Sequence, residues 1–416
     1  MAGRIETVIV GGGHAGLALS YHLGRLGCPH VILERARLAE RWRSERWDSL
    51  MFQFPNWSLR LPGHEYGGVQ PDGFATRDEV VAFIEAYARA IDAPVRAGVR
   101  VDRVRPWDEG FRLDTTMGPI DAASVVIATG PYQQPVVPTM SRDLAPGVVQ
   151  VHSSGYRNPG QLPAGAVLVV GAGASGCQIV EDLTAAGRTV YLSVGRHRRY
   201  PRRYRGRDMF WWMERIGVLD QTREERPEAR ERPNPLVTGV GGGHDIDLRD
   251  YAAAGVTLLG RVRDVAGSRL RLADDLAALL AAGDESVGAF TRTVDAYIVR
   301  SGLVALVEAP DPVAPRPALP PPVRELHLDR AGITSVVWAT GFRRDFGWID
   351  APVLDGDGEP VHRRGVSDCA GLYFLGLPWL HKLKSSVLCG VGDDAAHLAD
   401  CITERLGARA GSKGRA

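Results

Sequence analysis

The chain has 416 residues, 44% apolar and 24% charged, enough for two or three domains that each bury a core. Lysine plus arginine number 50 against 49 aspartate plus glutamate, so no global charge steers the protein to nucleic acid or to an acidic membrane surface. Its apolar runs fall short of the roughly 20 residues that span a bilayer, and the first apolar run begins within a few residues of Met1, leaving no room for a signal or transit peptide; the expected location is cytoplasmic.

In chain order, the run Val8, Ile9, Val10 leads into Gly11-Gly12-Gly13-His14-Ala15-Gly16, which reads as strand, tight turn and helix. Leu19, Leu23 and Leu26 keep helical spacing up to a capping Gly27, and the next strand, Val31-Ile32-Leu33, ends in Glu34. An irregular, aromatic-rich stretch from Trp42 to Pro71 comes next, then a helix around Arg77 to Ile91 and a strand pair ending at Val125-Val126-Ile127-Ala128-Thr129-Gly130. Asn158 to Gly165, rich in proline and glycine, reads as a linker. The first pattern then recurs: Val167 to Val170, the turn Gly171-Ala172-Gly173-Ala174-Ser175-Gly176, a helix carrying Ile179, Leu183 and Ala186 with Gly187 at its end, and a strand Val190 to Gly195. Beyond it lie a charged helical insertion, a proline-rich linker from Ala309 to Pro322, a strand closing on Ala339-Thr340-Gly341, and a last helix from Asp393 to about Arg405.

The expected architecture is α/β, with two Rossmann-like dinucleotide-binding domains, the second inserted into the first. Residues 1–160 and 330–405 form the first domain, 165–325 the second with its helical insertion, and 406–416 a frayed, disordered tail. In each GxGxxG turn the first glycine makes the turn, the second admits a pyrophosphate, and the third lets helix and strand pack closely while the helix N-terminus faces the phosphates.

The residues at and just beyond the end of each unit's second strand assign the cofactors. Glu34 is placed to accept hydrogen bonds from a ribose diol and to repel a 2′-phosphate, which suits FAD or NAD. The second unit has no acid there; Ser193 leads into Arg196, His197, Arg198 and Arg199, a set suited to the 2′-phosphate of NADPH. Cys28, Cys177, Cys369, Cys389 and Cys401 contain no C-x-x-C, so electrons do not leave through a redox disulfide, and no histidine has a partner at metal-ligand spacing.

With these motifs in place the chain resembles the class B flavoprotein monooxygenases within the two-dinucleotide-binding-domain flavoproteins. The resemblance is carried by Gly11 to Gly16, Glu34, Trp42, the Trp47-Asp48-Ser49-Leu50 to Pro55 run, both Ala-Thr-Gly triplets, His152 to Tyr156, Gly171 to Gly176 and Gly371 to Gly376. The family linker fingerprint is kept only in part: Gly147 and His152 stand one residue further apart than the family pattern, with no phenylalanine before the glycine. The resemblance implies FAD and NADPH as cofactors, a C4a-hydroperoxyflavin formed from O2, and transfer of one oxygen atom to a small organic substrate at nitrogen or sulfur; Baeyer-Villiger oxygenation and an NADPH-flavin reductase or oxidase stay open, as does a homodimer.

Cofactor contacts are expected from both glycine turns, Glu34, Arg35, Trp42, Trp47, Ala128 to Gly130, Ser193, Arg196 to Arg198, Ala339 to Gly341, Gly392 and Asp393. Gln53, two residues before Pro55 where the family often has Asn or His, and His381 are the expected catalytic groups. Phe52, Phe54, Trp57, Tyr66, Trp379 and Leu380 are candidates to cover the flavin ring, and Lys382 and Lys384 form a cation cluster that would suit an acidic or polar substrate.

Overall fold

The computed structural model describes residues 4–227, 234–303, 307–309 and 321–413. Continuous apolar runs, covered on both faces, are what buried parallel strands require, and they become the centres of two separate sheets. In the first, β1 (Ile5–Val10) leads through α1 (His14–Arg25) to β2 (His30–Glu34); after α2 (Glu40–Ser44) and α3 (Arg77–Ala90) come β3 (Val95–Ala97), β4 (Val101–Trp107), β5 (Gly110–Thr115) and β6 (Ile120–Ile127). Their order is β3-β2-β1-β6-β5-β4. β1 lies parallel to both β2 (Val8 opposite Val31) and β6 (Val8 opposite Val125), so Val8 and Ile9 are fully buried. Helix α3 starts as its sequence dictates, with Thr76 and Glu79 in a reciprocal capping box.

A short strand β7 (Gln134–Pro135) leads away to the second sheet, built from β8 (Val149–His152), β9 (Ala166–Val170), β10 (Val190–Ser193), β11 (Thr257–Leu259) and a late strand. Helix α4 (Ala174–Ala185) crosses from β9 to β10, while α5 (Met209–Arg215) and the long α6 (Leu276–Arg300) belong to the insertion. The late strand is β12 (Ile333–Trp338), and the order is β8-β12-β9-β10-β11, all parallel. The chain returns through β13 (Phe342–Arg343), which pairs antiparallel with β7; β14 (Leu372–Phe374) joins the carboxyl half of β6, and α7 (Val391–Lys413) packs against α1.

Two expectations change. β8 falls within residues 1–160 and β12 within 330–405, yet both belong to the second sheet, so the chain leaves the first domain near β7 and returns at β13. The last helix does not stop near Arg405 to leave a frayed tail: it continues to Lys413, because Leu398, Ala399 and Ile402 are fully buried and Arg409 Nη2 pairs with Glu109 at 2.9 Å, tying the late turns to the β4–β5 hairpin. Most of the proline-rich linker, residues 310–320, lies outside the described residues.

Candidate cofactor and active site

Each glycine turn sits at the carboxyl end of its sheet's central strand, and the steric demands on its three glycines separate cleanly. A Cβ on Gly11 (φ +116°) would lie 2.5 Å from the Ala128 carbonyl oxygen, and one on Gly16 would lie 2.1 Å from that of Gly11. In the second turn Gly171 (φ +110°) would meet the Ala339 oxygen at 2.4 Å and Gly176 that of Gly171 at 1.9 Å. The protein itself demands those four. The middle glycines are different: Gly13 and Gly173 have extended backbone that any residue adopts, and a Cβ there would find nothing within 4 Å. They leave open space before helices whose first turns carry no acid and no side-chain cap. Uncapped N–H groups facing a space that one methyl group would enter fit a pyrophosphate at both turns.

Around the first turn, Glu34 accepts from Gly12 N at 2.8 Å and Ala36 N at 3.0 Å, which fixes its carboxylate at the strand end with lone pairs to spare for a ribose. Arg35 is exposed and reaches Glu45 at 3.6 Å. His14 donates Nε2 to the Ser386 carbonyl at 3.2 Å, and burial pushes its pKa down from 6.5 to about 4, so the imidazole is neutral. Ala15 is buried against Gly376, where a Cβ would come within 2.7 Å. Stability linked to His14 is therefore complete above pH 6.5 and is lost as pH falls toward about 4, by at most about 3 kcal/mol. His14→Gln should flatten the melting temperature between pH 4 and 6.5; an unchanged pH profile would show that His14 is not the titrating group.

The two Ala-Thr-Gly triplets flank the two turns and lock the crossings together. Ala128 borders Gly11 and Ala339 borders Gly171. Gln133 Nε2 donates to Thr129 Oγ1 (3.1 Å) and the Gly130 carbonyl (2.8 Å), while its Oε1 accepts from Asp345 N at 2.8 Å. Val136 N donates to the Gly341 carbonyl at 3.0 Å, and Thr340 Oγ1 donates to the Val136 carbonyl. His152, which burial keeps below the usual imidazole pKa, donates Nε2 to the Gly341 carbonyl at 3.0 Å and accepts from Ser154 N at its Nδ1.

The basic run after β10 is largely consumed by the protein. Ser193 is buried and its hydroxyl donates to the Gly260 carbonyl at 3.0 Å, and His197 is buried with Nδ1 donating to the Gly195 carbonyl and Nε2 without a hydrogen-bond partner among the described residues, so neither is presented at the surface for a 2′-phosphate as expected. Arg199 pairs with Asp247 and Asp284 at 2.8 and 2.7 Å, Arg202 with Asp208, and Arg205 with Asp295. Arg198 stacks on Tyr200 and bonds its hydroxyl. Arg196 is exposed and, among the described residues, has no partner.

The seam between the domains also departs from expectation. Trp47 packs into the second domain's core with Tyr156, Ala172 and Cys177, its Nε1 buried without an acceptor, while Trp42 touches both cores. Ser49 Oγ donates to Asp182 of α4 at 2.6 Å. Gln53 also lies on the seam: its Nε2 is 3.4 Å from the Val237 carbonyl, which Gln178 Nε2 of α4 approaches at 3.3 Å, and its own carbonyl accepts from Arg202 at 2.8 Å. Phe52 is buried beside Phe54, which stacks on Phe210 of α5 at 4.3 Å, with Trp57 at 5.6 Å from the same ring. An aromatic face of the insertion therefore covers the Gln53 loop.

Lys382 and Lys384 are not free cations. Both ammonium groups lie 2.9 Å from Asp220 Oδ1, and they reach Asp393 Oδ2 at 3.1 and 3.5 Å, which removes the charge argument for an acidic substrate. The hydrogen bond from Lys382 to Asp220 holds that lysine above the usual ammonium pKa. Asp393 thus serves this ion cluster at the start of α7, and Gly392 packs by Pro62, where a Cβ would come within 3.0 Å. His381 is held through its backbone, N to Ser385 Oγ (3.2 Å) and O from Arg223 N (2.9 Å). Sequence reasoning missed Asp220, Gln178 and Arg46; only Arg46 left a local sign, standing four residues after Trp42, whose ring it covers at 5.9 Å.

Two uncapped glycine cradles, each at the end of a strand with parallel neighbours on both sides, joined by a paired crossing, define an oxidoreductase with two dinucleotide-binding domains. A family model described as pyridine nucleotide-disulphide oxidoreductase matches residues 8–207. The chain is 32% identical over 403 residues to an uncharacterized CzcO-like oxidoreductase of Geobacillus kaustophilus, covering 96% of this chain and 98% of that protein. It belongs to this CzcO-like family of oxidoreductases. Over 200 residues, 45% of either chain, it is 31% identical to the probable indole-3-pyruvate monooxygenase YUCCA3 of Arabidopsis thaliana. Its fold is that of the flavin-containing monooxygenase from Stenotrophomonas maltophilia, with a TM-score of 0.67 at 20% identity over 96% of this chain and 98% of that one. Among the described residues no helix is long and apolar enough to cross a membrane.

Proposed function

We propose that the protein is an FAD-dependent, NADPH-consuming monooxygenase that places one atom of O2 on a small organic substrate, with nitrogen or sulfur as the acceptor. The observation that carries the reading is the pair of open cradles at Gly13 and Gly173 in a chain with five free cysteines and no C-x-x-C: two dinucleotides have a place, and a disulfide relay does not. Bound together, a flavin and a pyridine nucleotide supply hydride transfer and the activation of O2. The chain's part is to hold both and keep water out. Glu34 takes the ribose of FAD, Arg196 the 2′-phosphate of NADPH, and Phe52, Phe54 and Phe210 close the seam above Gln53. Neutralised lysines and aromatic walls favour an uncharged or weakly polar substrate over an acidic one.

The test is coupling. NADPH-reduced protein is mixed with O2 and a panel of amines, sulfides and ketones, and oxygenated product and hydrogen peroxide are both counted per NADPH. A substrate that lowers the peroxide yield while product appears supports the reading; peroxide equal to NADPH with every compound, under conditions that reduce the flavin, replaces it with a reductase or oxidase. Gln53→Ala removes an amide worth about 1 kcal/mol as a hydrogen-bond partner and should shift the partition toward peroxide about five-fold at unchanged flavin content. An unchanged partition would confine Gln53 to holding the Val237 carbonyl.

A further inference from the structure

On the reading of the second crevice as the pyridine-nucleotide site, we propose that Arg46, a residue of the first domain, grips the pyrophosphate of that nucleotide from the opposite side. Its guanidinium lies over Trp42 at 5.9 Å and Tyr132 at 5.5 Å. Such cation–π contacts hold the group without using its N–H donors, which remain for acceptors. One of those donors goes to the Glu45 carbonyl at 2.8 Å, and no ion pair is made among the described residues. The adjacent carboxylate, Glu45, is held by Arg41 at 2.5 Å and Arg35 at 3.6 Å. Arg157, also nearby, gives Nη1 to the carbonyls of Ser154 and Tyr156, both at 2.8 Å. Several guanidinium groups thus share one carboxylate, in a place where burial and the neighbouring arginines act against the Arg46 charge. A half-buried cation with unused donors and no counter-ion calls for an anion.

The surroundings say which anion. The next residue, Trp47, packs in one cluster with Ala172, inside the second glycine turn, and Ser49 bonds to Asp182 of the helix that the turn opens. Trp47 thus shares a core with Ala172 of the second glycine turn and Ser49 holds the later turns of α4, whose N-terminus at the Gly173 cradle is uncapped and free of acids. On the reading that puts the 2′-phosphate by Arg196 beyond the end of β10, the anion left for Arg46 is the diphosphate at the turn whose Ala172 shares a core with Trp47. A fork of parallel N–H donors suits its unbridged oxygens, and a nucleotide held this way ties the two domains to each other.

Calorimetric titration of the FAD-loaded protein with NADP+ and with adenosine 2′-monophosphate, which lacks the diphosphate, tests this. Arg46→Met should weaken NADP+ about ten- to a hundred-fold while leaving the monophosphate and the FAD content as in the parent. Arg46→Lys should recover part of the loss, as a point charge without the fork. Equal NADP+ affinity in parent and Arg46→Met overturns the proposal. So does equal weakening of both ligands, which marks a structural stack, or loss of FAD, which assigns Arg46 to the first crevice. Gly173→Val is the separate control: if it binds NADP+ like the parent, the reading of the second crevice itself falls.

Discussion

Gly13→Val purifies without flavin colour, whereas Gly173→Val stays yellow and resists reduction by NADPH; this is the largest separation of effects expected from single substitutions in this chain. The apo fold should tolerate both. Neither position needs a positive φ, and a Cβ at either meets no protein atom within 4 Å, so a valine loses nothing until a pyrophosphate approaches. Clash with the bound group then costs about 1–3 kcal/mol or more, a ten- to hundred-fold or larger loss of affinity. Flavin absorbance per protein after gel filtration and the anaerobic rate of bleaching by NADPH measure the two outcomes. A yellow Gly13→Val that NADPH cannot reduce would exchange the two crevices. Gly11→Val or Gly16→Val should instead fail to fold, because the added carbon would strike backbone at 2.5 or 2.1 Å.

The second large effect concerns nucleotide choice. Arg196→Ala should raise the NADPH concentration needed for half-maximal flavin reduction about ten- to a hundred-fold and leave the NADH requirement unchanged, because an exposed guanidinium with no partner among the described residues loses only its ligand. Arg199→Ala should behave in the opposite sense. Its side chain is 11% exposed between Asp247 and Asp284, so removing it leaves both carboxylates with Arg249 as their remaining ion-pair partner and destabilises the fold by about 1–3 kcal/mol, seen as a lower melting temperature rather than a change of preference. Parent protein that uses both nucleotides equally would end the assignment of the 2′-phosphate to Arg196.

That contrast shows what the sequence made legible. The glycine turns, the crossing helices and Glu34 could be read because each depends on local chemistry: a positive φ at Gly11 and Gly171, a helix N-terminus, a carboxylate at a strand end. Consecutive basic residues carry no such information, since their roles depend on partners distant in sequence. Asp247 and Asp284 claim Arg199 and Asp295 claims Arg205 from the helical insertion and its approaches. Asp220 likewise turns two lysines from a substrate clamp into an ion cluster. The boundaries of the second domain lie outside the expected ones because β8 and β12 are short strands that would suit either sheet, and only their pairing with each other and with β9 decides it. Trp47 obeys the same logic: its place next to first-domain residues in sequence says nothing about the side to which its ring turns.

The pairing of β7 with β13 has a consequence for how such a molecule can be assembled and taken apart. Val136 N and the Gly341 carbonyl oxygen are 3.0 Å apart, so everything between them departs from and rejoins the remainder of the chain at a single point. A segment whose ends already touch can be lifted out and the gap closed by a short turn, with no strand of the remaining sheet displaced. The same junction could accept a homologous segment from another chain. On the proposed reading, Arg196 and Phe210 would travel with that segment, while Glu34 and the Gln53 loop would stay with the remainder.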